Sequence, residues 1–397
     1  MNSGPDAAAR AWKGRLWLDR NLRIIYCVTL MAVLSVASIT PAFPRIIQDL
    51  GIKPHQVGLL ITIFTFPGMI LAPFLGVLSD RYGRKKILIP SLLLFGLAGS
   101  GCGFAGSFKA LLFLRFFQGV GAAALSSLTG TIIGDLFSGK ERAMAMGYNS
   151  SVLSVGTASY PAIGGAMALF GWNYPFFLPI LALPVAYAAL FHLENPEPEG
   201  HQKLSDYLKG AWEVLKNRGV LGVFLVSIAT FIILYGSLLT FFPLLVDGRF
   251  GASTMTIGLL MSAMSVSTAL TSTQMGRLSA KFGEKNLIKA AFLFYGAALL
   301  LIPAMPSVPL YVLPAVIFGF GHGMNIPAIM SLMAGFAPIE HRGVLMSVNG
   351  MVLRMGQTAG PMVMGIAYTW WGIPGPFYAG AALALAVTIG GVIAVRY

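Results

Sequence analysis

Residues 142–165 read RAMAMGYNSSVLSVGTASYPAIGG, and residues 342–365 read RGVLMSVNGMVLRMGQTAGPMVMG. At a shift of 200 they share eight of 24 positions: Arg142, Met146, Asn149, Val152, Leu153, Gly156, Pro161 and Gly165. Unrelated segments of ordinary composition would share roughly two. The same shift works elsewhere. Gly51, Gly58, Leu59 and Leu60 recur as Gly251, Gly258, Leu259 and Leu260. Gly76, Leu78, Ser79, Gly83 and Lys85 recur as Gly276, Leu278, Ser279, Gly283 and Lys285, and Gly119 and Gly121 recur as Gly319 and Gly321. One constant offset marks the chain as two copies of one unit.

The medium of that unit is not water. Of 397 residues, 56% are hydrophobic and 10% charged, and the mean hydropathy is +0.76. A soluble chain carries roughly 25% charged residues to solvate its surface. Apolar runs of the length that crosses a bilayer, about 20 residues, fall near 22–44, 56–79, 87–106, 109–134, 143–168 and 172–193. Six more fall near 219–246, 255–279, 287–305, 308–336, 343–369 and 374–395. The runs are continuous and do not alternate with a period of two, which selects helices over barrel strands. The sequence therefore predicts an all-α integral membrane protein. Its twelve transmembrane helices form two pseudo-symmetric six-helix bundles, 22–193 and 219–397, with a polar segment at 1–21 and a loop at 194–218. The first run, from Ile24 to Phe43, exceeds a signal-peptide core of about 7–15 residues and reads as an uncleaved span.

A net charge of +13 invites a nucleic-acid partner, but location removes that reading. Of the 27 Lys and Arg, 21 lie on the side of the termini, four on the opposite side and two inside spans. Such asymmetry is the positive-inside bias; it predicts cytoplasmic termini in a cell (inner or plasma) membrane and no nucleic-acid partner. The loop 194–218 opens with a Pro/Glu tract and continues with Leu204, Leu208, Ala211 and Leu215 at helical spacing, which predicts an amphipathic helix on the membrane face. Cys27 and Cys102 sit in apolar runs and read as packing residues. No nucleophile–base set, metal-ligand cluster or phosphate loop stands out, so the sequence predicts neither an enzyme nor a bound cofactor.

The loop after the second span reads Gly76-Val77-Leu78-Ser79-Asp80-Arg81-Tyr82-Gly83-Arg84-Lys85-Lys86, and the fourth span contains Arg115-Phe116-Phe117-Gln118-Gly119-Val120-Gly121-Ala122-Ala123. Both resemble signatures of the major facilitator superfamily, at their proper spans. The resemblance implies a secondary transporter that works by alternating access, with Gly76, Asp80, Arg81, Gly83 and Arg84 in a gate that latches one side shut against the start of span 11. Ala280 replaces the aspartate in the second copy, which makes the latch one-sided. Span 5 carries Gly156-Thr157-Ala158-Ser159-Tyr160-Pro161-Ala162-Ile163-Gly164-Gly165, similar to the antiporter signature of the drug:proton efflux branch, with Tyr160 where that signature has glycine. Span 11 repeats it as Gly356-Gln357-Thr358-Ala359-Gly360-Pro361, so Gly156, Pro161, Gly356 and Pro361 are conformational candidates.

Ionisable residues inside spans cost about 2.5–3.5 kcal/mol to insert, so each is a functional candidate. At 1.5 Å per residue, Arg115 lies roughly 9 Å into span 4 and Arg354 roughly 16 Å into span 11. All 14 carboxylates fall in loops or at span ends. Two buried cations without a buried carboxylate favour an anionic, zwitterionic or neutral amphipathic substrate. Arg354, Gln357, Asn149, Asn349, Asn325 and Tyr235 are the substrate-binding candidates; each polar one also reads as a bond to a neighbouring helix. His322, with Arg115 and Gln118, is the candidate for proton coupling, because imidazole titrates near neutrality; a hydrogen-bonded packing role is the alternative. The favoured function is proton-coupled efflux of a small molecule by a chain that works as a monomer. An importer or facilitator of an organic anion, and a non-transporting membrane sensor, remain open.

Overall fold

The computed structural model describes residues 16–194, 216–336 and 342–394. Among the described residues, twelve membrane-length helices appear in the expected order. The first bundle holds α1 (Arg20–Leu50), α2 (Leu59–Tyr82), α3 (Arg84–Phe104), α4 (Phe108–Leu136), α5 (Gly139–Met167) and α6 (Tyr174–His192). The second holds α7 (Arg218–Phe250), α8 (Thr254–Ser272, resumed as Met275–Phe282), α9 (Glu284–Ala304), α10 (Pro309–Phe336), α11 (Arg342–Trp371) and α12 (Gly375–Ala394). No strand occurs among the described residues. The amphipathic helix expected around 204–215 lies outside them.

Nine stretches are apolar enough by composition alone to cross a membrane among the described residues; α12 counts only as a shorter apolar helix, and α5 and α11 are not in that set. Polar runs such as Asn149-Ser150-Ser151 and Arg354 interrupt them. A span that faces the other bundle instead of lipid tolerates such residues. Pairings within the bundles repeat: α1 with α5 and α7 with α11, α2 with α4 and α8 with α10, α3 with α6 and α9 with α12. Each bundle has its own apolar core, one built from Leu16 to Leu193 and the other from Val220 to Ala384.

The repeated glycines act alike in both copies. Gly51 and Gly251 end a helix in the left-handed region, at φ 60° and 58°. Gly83 and Gly283 turn the chain between helices at φ 101° and 73°. A Cβ on Gly119 would strike the backbone of Phe64, and one on Gly319 the backbone of Met264. Lipid tails are as apolar as leucine, so helices in a bilayer associate through such close backbone packing.

Irregularities have local causes. Pro41 and Pro44 accompany a tight turn at Thr40–Ala42 inside α1, and Pro175 and Pro179 hold the first eight residues of α6 in a 3-10 helix. The α8 span breaks at Thr273 and Gln274, where the sequence suggests one continuous helix. In α7, Ile233–Phe241 is a π-helix, a wide turn of the kind that marks functional sites in helices.

Gly319→Ala is expected to cost about 1–3 kcal/mol by overpacking. Gly147, which faces nothing within 4 Å, should accept Ala at no cost and gain about 1 kcal/mol of helix propensity. Thermal unfolding of the purified protein in detergent checks the contrast: a midpoint lowered by several degrees for the first and unchanged or raised for the second.

Candidate functional site

The two bundles meet along α2 with α11 and α5 with α8. At one end the contact is close and two-fold symmetric. A Cβ on Gly58 would run into Pro361, and one on Gly258 into the backbone of Pro161. Thr254 Oγ1 donates to the Gly165 carbonyl at 2.7 Å across the same seam. Deeper in, Thr62 Oγ1 donates to the Thr358 carbonyl at 3.0 Å, and the Thr65 and Thr358 hydroxyls share a bond of 2.9 Å. At the opposite end, which carries the basic loops, Gly76, Gly130, Gly147, Gly276 and Gly350 face nothing within 4 Å. The bundles are in close contact at the end that holds Gly58 and Gly258.

Arg354 lies between these zones. Its guanidinium passes over Gly68 of α2, where a Cβ would collide with it, and Nη2 donates to Ser126 Oγ of α4 at 2.8 Å. A second-bundle cation thus rests on a first-bundle hydroxyl. No ion pair holds it among the described residues. Tyr235, from the π-helical stretch of α7, stands within electrostatic reach, packs against the first-bundle core and neighbours Phe231, ring centres 5.9 Å apart. Gln357 is half-buried three residues further along α11.

Arg115 is elsewhere and differently held. It is fully buried; Nε donates to the Leu60 carbonyl at 3.1 Å, and Nη1 to the Ser35 carbonyl at 3.3 Å and Gln118 Oε1 at 2.8 Å. Gln118 in turn donates to the Ser35 hydroxyl, and the Arg115 guanidinium lies 4.2 Å from the Phe64 ring centre. This cluster staples α1, α2 and α4 together within one bundle.

The basic loop is also tied within its own bundle. Arg84 is buried and binds Asp80, with Nε donating to Asp135 Oδ2 at 2.9 Å and Nη1 to Ser79 Oγ at 2.8 Å. Arg81 is exposed over the Tyr82 ring, and Gly76 stands open. In the second copy Glu284 replaces Arg84 and accepts from Ser279 at 2.7 Å and Ser331 at 3.0 Å. The same position thus carries opposite charge in the two halves, a cation between two carboxylates in one and a carboxylate between two hydroxyls in the other.

Among the remaining candidates, Asn149 accepts from Thr29 Oγ1 at 2.7 Å and ties α5 to α1. Asn349 is buried with Nδ2 3.9 Å from Met330 Sδ. Gly156 presses on Leu30 and Val33, as Gly356 does on Ile228 and Phe231. Tyr160, in the signature's glycine place, is buried beside Gly156. His322 and Asn325 join a cluster with Tyr295 and Thr230. Sequence reasoning missed Gly68, Thr62, Thr65, Ser126, Thr230 and Tyr295; the small-polar spacing of Thr62 and Thr65 in an apolar span was the available signal. Both cysteines are free, Cys102 buried and Cys27 exposed.

Two duplicated six-helix bundles, closed at one end around a mid-depth cation, define a membrane transporter of the alternating-access class. The chain belongs to the Major Facilitator Superfamily, whose sequence model matches residues 25–253 and again 236–397. It is 28% identical over 351 residues to Multidrug resistance protein 2 of Bacillus subtilis, covering 85% of this chain and 86% of that one. It is 28% identical over 376 residues to the multi-drug resistance efflux pump PmrA of Streptococcus pneumoniae, covering 91% and 92%. Among solved structures, a bacterial homologue of the human lysosomal transporter Spinster, inward-facing and unoccupied, matches at TM-score 0.74 and 20% identity over 99% of this chain and 96% of that one.

Widening Gly258 to Val should pry the closed end apart. With spin labels at Lys53→Cys and Ser253→Cys, in a chain lacking Cys27 and Cys102, the distance distribution is expected to lengthen relative to Gly258. An unchanged distribution would mean that this contact does not hold the end shut.

Proposed function

We propose that this chain is a proton-coupled exporter of small amphipathic or anionic organic molecules, acting as a monomer in the cell membrane with both termini cytoplasmic. The observation that carries the substrate class is Arg354. Its guanidinium lies at the seam between the bundles and is bonded to a hydroxyl of the opposite bundle. A hydroxyl leaves the charge uncompensated, so an anionic group arriving there gains a charge-assisted hydrogen bond that the resting site lacks. Apolar and aromatic neighbours, Tyr235 and Phe231, suit the organic remainder of such a molecule.

Export is supported by the activities for which the relatives are named, multidrug resistance and efflux, and by the paired Gly156–Pro161 and Gly356–Pro361 segments at the closed seam. With cytoplasmic termini, the glycine–proline seam lies at the outer end and the basic loops at the end from which an exporter collects its cargo. The Asp80–Arg84–Asp135 corner is then the inner latch, with Asp80 and Arg81 free to exchange partners when the inner end shuts. The second reading is an importer or facilitator of an organic anion, which the same cation would serve.

Purified protein in liposomes with an imposed pH gradient separates these. Carboxyfluorescein is the anionic probe and ethidium the cationic one. Carboxyfluorescein is expected to move against the proton flow, and Arg354→Gln to slow it about tenfold or more, the size of one charge-assisted contact, with Arg354→Lys intermediate. Preferential movement of ethidium, insensitive to Arg354→Gln, would defeat the charge argument. Movement in the same direction as protons would mark an importer.

A further inference from the structure

A polar cluster absent from the first bundle is buried in the second. Tyr295 Oη of α9 lies 2.8 Å from His322 Nδ1 of α10. Asn325 Nδ2 donates to Tyr295 Oη at 3.2 Å and to Thr230 Oγ1 of α7 at 2.7 Å, and Thr230 passes its own hydrogen to the Val226 carbonyl at 2.8 Å. Asn325 Oδ1 is buried with no partner. The positions 200 residues earlier are Leu30, Phe95, Ala122 and Leu125, all apolar. The cluster was therefore placed in one half only, against the cost of burying polar groups in a bilayer.

One assignment of the hydrogens fits these distances. The Tyr295 oxygen already accepts from Asn325, so its hydrogen is free to go to His322 Nδ1, which must then carry the lone pair. In that assignment His322 is the neutral tautomer with its hydrogen on Nε2. That arrangement satisfies the donors of Tyr295, Asn325 and Thr230, and among the described residues it leaves one buried acceptor over, Asn325 Oδ1.

We propose that His322 is the proton-coupling site of the transporter, and that Tyr295 and Asn325 form a reversible hydrogen-bond pair that registers its protonation. The proposal rests on the proton-coupled reading above. A proton joins the Nδ1 lone pair and forms one N–H bond; nothing else is made or broken covalently. Nδ1–H then donates to the Tyr295 oxygen, and the Tyr295 hydrogen needs a new acceptor. Rotation of the Asn325 carboxamide brings Oδ1 to it, so the unused acceptor becomes the partner of the protonated state. The same rotation releases Nδ2 from Thr230, three residues before the π-helical Ile233–Phe241 stretch. That stretch carries Tyr235 toward Arg354 and packs Gly236 against Gly360 of α11. Protonation is thereby felt on the helix that shapes the substrate seam.

The surroundings suit a single titrating group. His322 lies on the face of α10 away from the exposed Leu313, Val316 and Phe320. α9 presents Tyr295, α7 presents Thr230, and α8 presents Thr268 and Thr271 across Gly323. α11 meets α10 through Asn349 at Met330, and its Arg354 is turned to Ser126. None of these is a carboxylate. Phe318 stacks on both Tyr295 and His322, with ring centres 4.4 and 6.1 Å away, and fixes the imidazole plane.

Two measurements on the full chain test this. Nitrogen-15 NMR of histidine-labelled protein in nanodiscs, with His322→Gln to assign the signal, should show the Nε2–H tautomer at high pH and a titration as pH falls. Tyr295→Phe should displace its midpoint by about half a pH unit or more, the scale of one hydrogen bond. In liposomes, His322→Gln should lower gradient-driven carboxyfluorescein movement about tenfold more than it lowers probe exchange without a gradient. An imidazole that stays neutral from about pH 9 to pH 4, a midpoint indifferent to Tyr295→Phe, or gradient-driven movement at the wild-type rate in His322→Gln would each overturn the proposal. If no probe moves in the wild type, the transport reading has failed while the NMR arm still decides the proton site.

Discussion

The structure depends on how closely two backbones can approach inside a bilayer. Lipid offers helices no hydrophobic reason to associate, so contact must come from dispersion and from hydrogen bonds at short range. Glycine supplies the first. At Gly58 and Gly258 the two bundles touch through a missing side chain, each glycine against the proline that the other copy contributes. Because the two contacts are related by the duplication, a rotation that loosens one loosens the other. A gate built in this way opens as a unit, which is what rocking of two repeats about a central site requires.

The repeated and the unrepeated residues divide the work. About half of the positions named as identical at the shift of 200 are glycines and a proline that set turns and close packing, and they behave alike in both halves. Positions that differ carry the charge and the polarity. Arg115 stands opposite Ala315, Arg354 opposite Ser154, and His322 opposite Ala122. Arg84 at one inner corner faces Glu284 at its twin, with different partners around each. The symmetric part makes a two-state machine, and the asymmetric part gives it something to bind.

The number and limits of the spans were legible because a bilayer enforces a length of apolar sequence, and the repeat was legible because glycine has no substitute where backbones touch. Pairings between helices were not. Ser126 and Arg354 are 228 residues apart, and Tyr295 and His322 are 27 apart on adjacent helices; neither carries a local signal. Arg115 and Arg354 looked alike as buried cations, yet the first is spent on carbonyls and Gln118 within its bundle and the second reaches across. Only the side on which each helix face lies tells them apart. The break in α8 left a trace in the polar run Thr271-Ser272-Thr273-Gln274, which lowers helix propensity without the proline that usually announces a break.

Arg354 also suggests why cargo and movement are linked. Its bond to Ser126 is a tie between bundles at mid-depth, inward of the glycine–proline seam and the threonine contacts. An anion that binds the guanidinium competes with that hydroxyl and can also bond it, so the cross-bundle tie passes through the cargo. A neutral hydroxyl holds a guanidinium weakly compared with a carboxylate, so the exchange favours the loaded state. The glycine–proline contacts at the closed end carry no charge and respond only to geometry. In the proposed scheme cargo acts on the middle of the interface and the proton on α7 beside it, and each bundle's continuous core carries the effect to the ends.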